Sequence, residues 1–234
     1  MLTVVFALAC SLQDDQVASA IAKFKADMAK AKGPADQSTA FYELGRTQTE
    51  KTLAILTPYV TGPEGLRKPA IFALSGFYEH QKKVVPILIK SLQTNQTDSI
   101  AVSAALEGLG KLGDETVLPT LHKYFPDRNL FVAKAAIAAT ARIRHISSIE
   151  PLLQALKAQE KALANAGSGS VGGTGVPGLN GGAIKPDASI RSTAEKLQTE
   201  VNASLNKITR QEFKTSADWQ KWWDANKATF QVEK

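Results

Sequence analysis

Three short apolar segments, each with a proline at its third position, recur along the chain at almost constant spacing. They are residues 84–88, 117–121 and 149–153. The prolines Pro86, Pro119 and Pro151 are 33 and 32 residues apart. A proline in the first turn of a helix loses no hydrogen bond, because the N–H groups there are free in any case. The recurring proline therefore predicts a helix that starts at the same point of each repeated unit.

A second apolar pattern precedes each proline segment and predicts the first helix of a helical hairpin. These first helices are expected at residues 39–46, 66–77, 99–112 and 130–143. In the third of them Ala101, Ala105 and Leu109 recur at intervals of four, which is one face of a helix. Residues 52–56 form a fourth copy of the proline segment without its proline. A hairpin of about 32 residues cannot bury its apolar face alone, so four hairpins over residues 36–166 should stack into an all-α, right-handed α-solenoid.

The composition agrees with stacked helices and excludes several other classes of protein. Apolar residues make up 44% of the 234-residue chain, which is enough to bury a core. A single cysteine excludes a disulfide framework and a cysteine-based zinc site. The sequence contains no apolar run of the ~18 residues that a membrane span needs.

The residues of the third and fourth repeats resemble a known family. Residues 104–114, followed by residues 117–121, are similar to the HEAT-like repeat family, in the short bacterial form also seen in phycobilisome lyase proteins. Residues 135–137 with residues 149–153 form the second clear match. The resemblance covers about residues 38–165 and implies an α-solenoid. It implies no single function, because one fold carries many functions.

The N-terminal residues predict two features. Residues 14–33 place Val17, Ile21 and Phe24 on one side of a helix, which we expect to cap the solenoid. Residues 1–12 are apolar and uncharged, as in a signal peptide, and Cys10 resembles the lipid-attachment site of a lipoprotein. The chain is therefore expected to be exported to the periplasm or cell envelope, with membrane attachment only through a lipid anchor at Cys10. The alternative is a buried first turn of the helix in a cytoplasmic protein.

The C-terminal third begins with a glycine-rich stretch. Residues 167–185 predict a flexible loop, because such a segment cannot repay the entropy of ordering. The helical pattern resumes over residues 186–234 and predicts a C-terminal hairpin that ends in a capping helix. Residues 205–213 and the tryptophans after them resemble the ending of HEAT-repeat proteins common in planctomycetes and related bacteria. Trp219, Trp222 and Trp223 lie on one stripe, which favours packing over the alternative of ligand stacking.

The candidate binding residues are polar side chains of the second helices. Lys90 and Lys123 both lie four residues after their repeat's proline and should share an exposed row on the concave face. His122, Gln154 and Lys157 lie close to that row in the repeat pattern. The formal charge of +6 is spread evenly along the chain, which favours an ordinary solvated face over a nucleic-acid surface.

No sequence pattern predicts catalysis or a cofactor. His80 and His145 occupy equivalent turns two repeats apart, too far apart to share a metal ion. Nucleophile and phosphate-loop motifs are missing from the sequence.

We therefore expect a non-enzymatic scaffold that binds a partner protein. Because the candidate residues are basic, we expect that partner to be acidic. Two alternatives stay open: an enzyme similar to HEAT-like alkylpurine DNA glycosylases, which use a basic concave face, and a protein similar to tetrapyrrole lyases.

Overall fold

The chain folds into helices joined by short turns. The computed structural model describes the backbone of residues 2–167 and 188–233, and the side chains of residues 14–166 and 188–233. Every regular element within these ranges is helical. The α-helices are α1 (Leu2–Lys30), α2 (Pro34–Gly45), α3 (Glu50–Leu56), α4 (Glu64–Leu74), α5 (Gln81–Thr94), α6 (Ser99–Leu112), α7 (Leu118–His122), α8 (Leu130–Ile143), α9 (Ile149–Gly167), α10 (Ala188–Thr209) and α11 (Ser216–Asn226). The prediction of an all-α fold is confirmed.

Two predicted segments lie wholly or partly outside the described residues. The glycine-rich segment 167–185 is one of them, apart from Gly167 at the end of α9. In the apolar segment 1–12, the backbone of residues 2–12 belongs to α1, and its side chains lie outside the described ones. Among the described residues, none of the helices is both long enough and apolar enough to span a lipid bilayer.

The chain divides into two compact units, residues 1–117 and 118–234. This boundary falls at the start of the predicted second helix of the third repeat, within the proline segment 117–121. The first unit contains α1 to α6, and the second contains α7 to α11.

Local capping signals set the ends of the helices in the first unit. The Asp98 side chain accepts a hydrogen bond from the Ala101 N–H at 3.0 Å and begins α6. Gly113 ends the same helix in the left-handed conformation, with φ of 78°, which a residue without Cβ adopts at little cost. Thr49 begins α3 through a reciprocal capping box with Thr52. These signals are local, so the predicted bounds of α6 agree with the observed ones.

The first helices of neighbouring hairpins pack closely in the first unit. Helix α4 lies between α2 and α6. A Cβ atom added at Gly45 would come within 2.9 Å of the Ala73 Cβ. One added at Gly108 would overlap with the Ser75 Oγ and approach the Leu88 Cδ1 within 3.0 Å. Small residues are therefore required where these helices cross.

A buried ion pair ties α4 to the start of α6. The Arg67 Nη1 lies 3.0 Å from the Asp98 Oδ2, and the Arg67 Nε donates to the Gly62 carbonyl at 2.9 Å. The Asp98 side chain is 7% exposed. A carboxylate so far from water needs both the cation and the capped N–H group to offset its desolvation.

The prolines occupy two kinds of helical position. Pro119 and Pro151 are the second and third residues of α7 and α9, near the helix start as predicted. The prediction is wrong for Pro86, because α5 begins at Gln81 and places this proline inside the helix. The Gln81 side chain donates to the Leu112 carbonyl at 3.0 Å, which holds the extra turn in place. The carbonyl left without a helical partner belongs to Lys82, in that exposed first turn.

The second unit is built around α10. This helix packs along α9 and against α8, and its residues Leu197, Val201 and Leu205 are buried. Asn129 caps the start of α8 with its side-chain oxygen. Arg144 ends α8 in the left-handed conformation, with φ of 53°, and its guanidinium donates to the Glu233 carbonyl.

The crossing of α4 and α6 leads to a first prediction. Gly108→Val should lower the free energy of unfolding by about 1–3 kcal/mol, because the new side chain overpacks against Ser75 and Leu88. Chemical denaturation followed by circular dichroism measures this change. Gly65→Ala is the matched control, since a Cβ atom at Gly65 meets nothing within 4 Å. It should be neutral or stabilising by up to about 1 kcal/mol. Equal stability of the two variants would contradict the close approach.

Candidate functional site

The five predicted binding residues fall in different units of the fold. Lys90 lies on α5 in the first unit, and the other four lie in the second unit. His122 is the last residue of α7, and Gln154 and Lys157 lie on α9. The expected helical position is wrong for Lys123, which lies in the turn after α7 because that helix ends at His122. Lys90 and Lys123 are exposed, and neither ammonium group forms an ion pair or hydrogen bond with any residue that the structure describes. Both lysines therefore present an uncompensated charge to solvent.

His122 is half-buried and already engaged by its own unit. Its Nε2 lies 3.1 Å from the Ser148 Oγ, in the turn before α9, and its ring centroid is 5.2 Å from that of Phe125. Burial lowers the pKa of His122 below its ordinary value near 6.5, because the charged ring would lose hydration. These contacts make His122 a packing residue with one polar anchor.

Gln154 and Lys157 lie on the part of α9 that the last helix approaches. The Lys157 Nζ donates to the Gln220 Oε1 of α11 at 3.0 Å. Closer to the start of α9, the Glu150 Oε1 accepts a hydrogen bond from the Trp223 Nε1 at 3.3 Å. The earlier residue on α9, Glu150, contacts the later residue on α11, Trp223. The two helices therefore run antiparallel.

A third contact holds the start of α11 on α9. The Glu160 Oε1 accepts a hydrogen bond from the Ser216 N–H at 2.7 Å, and its other oxygen accepts from the Ser216 hydroxyl. A carboxylate at a helix N-terminus is favoured by the free N–H groups and the helix dipole. Sequence reasoning missed these partners because they lie 56 residues apart.

The tryptophans of α11 pack into the second unit. Trp219 and Trp223 are 1% and 5% exposed, which excludes them as broad stacking surfaces for a ligand. Trp222 contacts both at ring-centroid distances of 6.2 Å, and Phe213 and Phe230 contact the cluster from either end. The Trp219 Nε1 donates to the Asn202 Oδ1 at 2.8 Å. The observed packing agrees with the favoured sequence interpretation of these residues.

An open cleft of about 430 Å³ lies where the start of α9 meets α11. We call it the α9–α11 cleft. It is lined by Ile146, Ser147, Glu150, Pro151, Gln154 and Trp223. Gln154 is thus a predicted binding residue that lines a concavity. The sequence offered a weak signal for Glu150, which lies on the same helical face as Gln154 one turn earlier.

Glu150 is the acidic residue among those that line the cleft. Its side chain is exposed, and it forms no ion pair with any described residue. Gln154 is also exposed and makes no hydrogen bond through its carboxamide within the described part of the chain. The cleft therefore carries hydrogen-bond acceptors that are available to a ligand and one carboxylate that forms no ion pair with any residue that the structure describes.

Metal binding has no support among the described residues, where no three His, Cys, Asp or Glu side chains lie close enough together to hold an ion.

Comparison with known proteins identifies the repeats. Residues 85–168 match the family model for HEAT repeats. The match confirms the resemblance of this part of the chain to HEAT repeats and supports the expected all-α, solenoid-type class. HEAT repeats generally mediate interactions between proteins. A search of curated proteins finds no match to the chain.

A second prediction concerns the attachment of α11. Glu160→Gln should destabilise the second unit by about 1–2 kcal/mol, because the charge-assisted bonds to Ser216 are weakened. Denaturation followed by tryptophan fluorescence measures this directly, since all three tryptophans lie in α11. Glu212→Gln removes one exposed carboxylate elsewhere in the unit and should leave the midpoint unchanged. Identical midpoints for the two variants would rule out the anchoring role of Glu160.

A third prediction follows from the lowered pKa of His122. The folded chain binds this proton less readily than the unfolded chain, so stability is retained above about pH 6.5 and lost as the pH falls below it. The loss is complete once the pH is below the lowered pKa of the folded state. The Tm of the wild-type protein should therefore fall further between about pH 8 and pH 5 than the Tm of His122→Gln, which has no titrating ring. Parallel Tm curves for the two proteins would show that burial of His122 does not oppose its protonation.

Proposed function

We propose that the chain is a non-enzymatic scaffold that binds a partner protein through exposed side chains on the second helices of its HEAT repeats. The observation that carries the proposal is the match of residues 85–168 to HEAT repeats, since such arrays recognise partners by shape and charge. Small residues on the first helices are used for contacts between neighbouring hairpins, as at Gly108. The second helices and the turns after them carry exposed polar side chains that can meet another molecule, among them Lys90 and Lys123.

The proposed partner is acidic. Lys90 and Lys123 are exposed and uncompensated among the described residues, and they recur at the same position of two repeats. Exposed lysines steer an oppositely charged partner toward a surface and set its orientation. Lys157 contributes less, because its ammonium group already bonds to Gln220. His122 contributes through packing and has little free surface for a partner.

We also propose that the protein is exported from a bacterial cell to the periplasm or envelope. The support is the uncharged apolar segment 1–12, with Cys10 following Ala9. Mass spectrometry and N-terminal sequencing of the protein from its native host test this. A mature chain that starts at Cys10 with an attached lipid supports the proposal, and an intact residue 1 in the cytoplasmic fraction overturns it.

A charge reversal tests the binding surface and provides the fourth prediction. Lys90→Glu combined with Lys123→Glu should reduce crosslinked capture of the partner from the native host by at least about tenfold, because attraction becomes repulsion. The readout is quantitative mass spectrometry of the captured proteins.

The matched control combines Lys196→Glu with Lys221→Glu. These lysines are also exposed, lie on α10 and α11, and change the net charge by the same amount. Capture that falls equally in both double variants would reflect net charge alone. Capture that is unchanged in the first variant would remove Lys90 and Lys123 from the site.

A further inference from the structure

We infer that the α9–α11 cleft binds an arginine side chain presented by a partner protein, with Glu150 as the acceptor of its guanidinium group. This inference rests on the proposed scaffold function and adds a second surface to it, opposite in charge to the lysines.

The walls of the cleft suit the aliphatic part of a long basic side chain. Ile146 and Pro151 are half-exposed, and the largely buried Trp223 completes the apolar lining. Long basic side chains place their methylene groups along such surfaces while the charged end reaches polar groups. A volume of about 430 Å³ lies within the usual range of about 300–1,000 Å³ for ligand sites.

The polar groups of the cleft are acceptors for such a charged end. The Glu150 Oε1 holds the indole N–H of Trp223, and this leaves the second carboxylate oxygen for a ligand. Gln154 follows one turn later on the same face and adds an unused carbonyl oxygen. A guanidinium group has five donors in a fixed plane, so it can bond to both residues at once, whereas the ammonium group of lysine is a compact point charge.

The basic groups near the cleft form hydrogen bonds to other residues of the unit or lie at a distance from Glu150. Lys157 lies seven residues beyond Glu150, about 10 Å along the helix axis, and bonds to Gln220. At physiological ionic strength a charge at that distance is largely screened. Arg144 donates to the Glu233 carbonyl, and the ring of His145 is bonded to Ser147. The charge that a ligand meets among the lining residues is therefore the carboxylate of Glu150.

The experiment is a nuclear magnetic resonance titration of the full chain with capped five-residue peptides. The probes are glycine–serine peptides whose central residue is arginine, lysine, citrulline or glutamate. The readout is the indole N–H resonance of Trp223, assigned by its loss in Trp223→Phe, because this group contacts Glu150 directly. The arginine peptide should shift the resonance in a saturable way, the lysine peptide should bind more weakly, and the citrulline and glutamate peptides should leave it unchanged.

Two substitutions in the cleft and one control complete the fifth prediction. Glu150→Gln keeps an acceptor for Trp223 but removes the charge. It should weaken binding of the arginine peptide roughly tenfold. Gln154→Glu adds a carboxylate and should tighten binding several-fold. Glu212→Gln removes the same charge outside the cleft and should have no effect. Circular dichroism melting of each variant verifies that the fold is retained.

The inference is overturned if Glu150→Gln binds the arginine peptide as tightly as wild type, or if citrulline binds as well as arginine. Its failure is separable from failure of the proposed function. If the chain still captures its partner through Lys90 and Lys123 but does not bind the arginine peptide, only the assignment of the cleft is contradicted. If the chain binds the peptide but partner capture does not depend on either lysine, only the proposed lysine surface is contradicted.

Discussion

The close approach of neighbouring first helices is the constraint on which the stacking of the first unit depends. Helix α4 can lie against both α2 and α6 because the crossing points carry glycine, alanine or serine, as at Gly45 against Ala73 and Gly108 against Ser75. Larger side chains at these points would separate the helices and leave voids, which protein interiors do not tolerate. The alanine-rich first helices are therefore explained by geometry and carry little information about function.

This constraint applies to the first helices, so the second helices and the turns after them are less restricted in the polar side chains that they carry. The same helices also carry contacts that join repeats, such as Lys83 with Glu50 and Gln81 with the Leu112 carbonyl. Lys90 and Lys123 are among the exposed lysines that form no ion pair or hydrogen bond with any described residue. A surface lysine that bonds to nothing contributes little to stability, so both residues are available for the role in binding that we propose.

The sequence predicted those features that depend on local chemistry and missed those that depend on distant partners. The bounds of α6 and α8 were predictable because caps and periodicity lie within the helix and its neighbours. Pro86 was placed wrongly, since the turn that precedes it is held by a contact with Leu112, 31 residues away. The cleft could not be predicted, because Glu150 and Trp223 are 73 residues apart and no spacing rule joins them.

The docking of α11 changes the chemistry of the surface it covers. By repeat position alone, α9 belongs to a basic row, with Lys157 as its charge. The ammonium group of that lysine donates a hydrogen bond to Gln220, and the antiparallel course of α11 brings Trp223 beside Glu150. Beside Trp223 lies the α9–α11 cleft, with apolar walls and a carboxylate, which we propose as a site for a cationic side chain. A terminal helix can thus create a concave surface on a repeat without altering any residue in it.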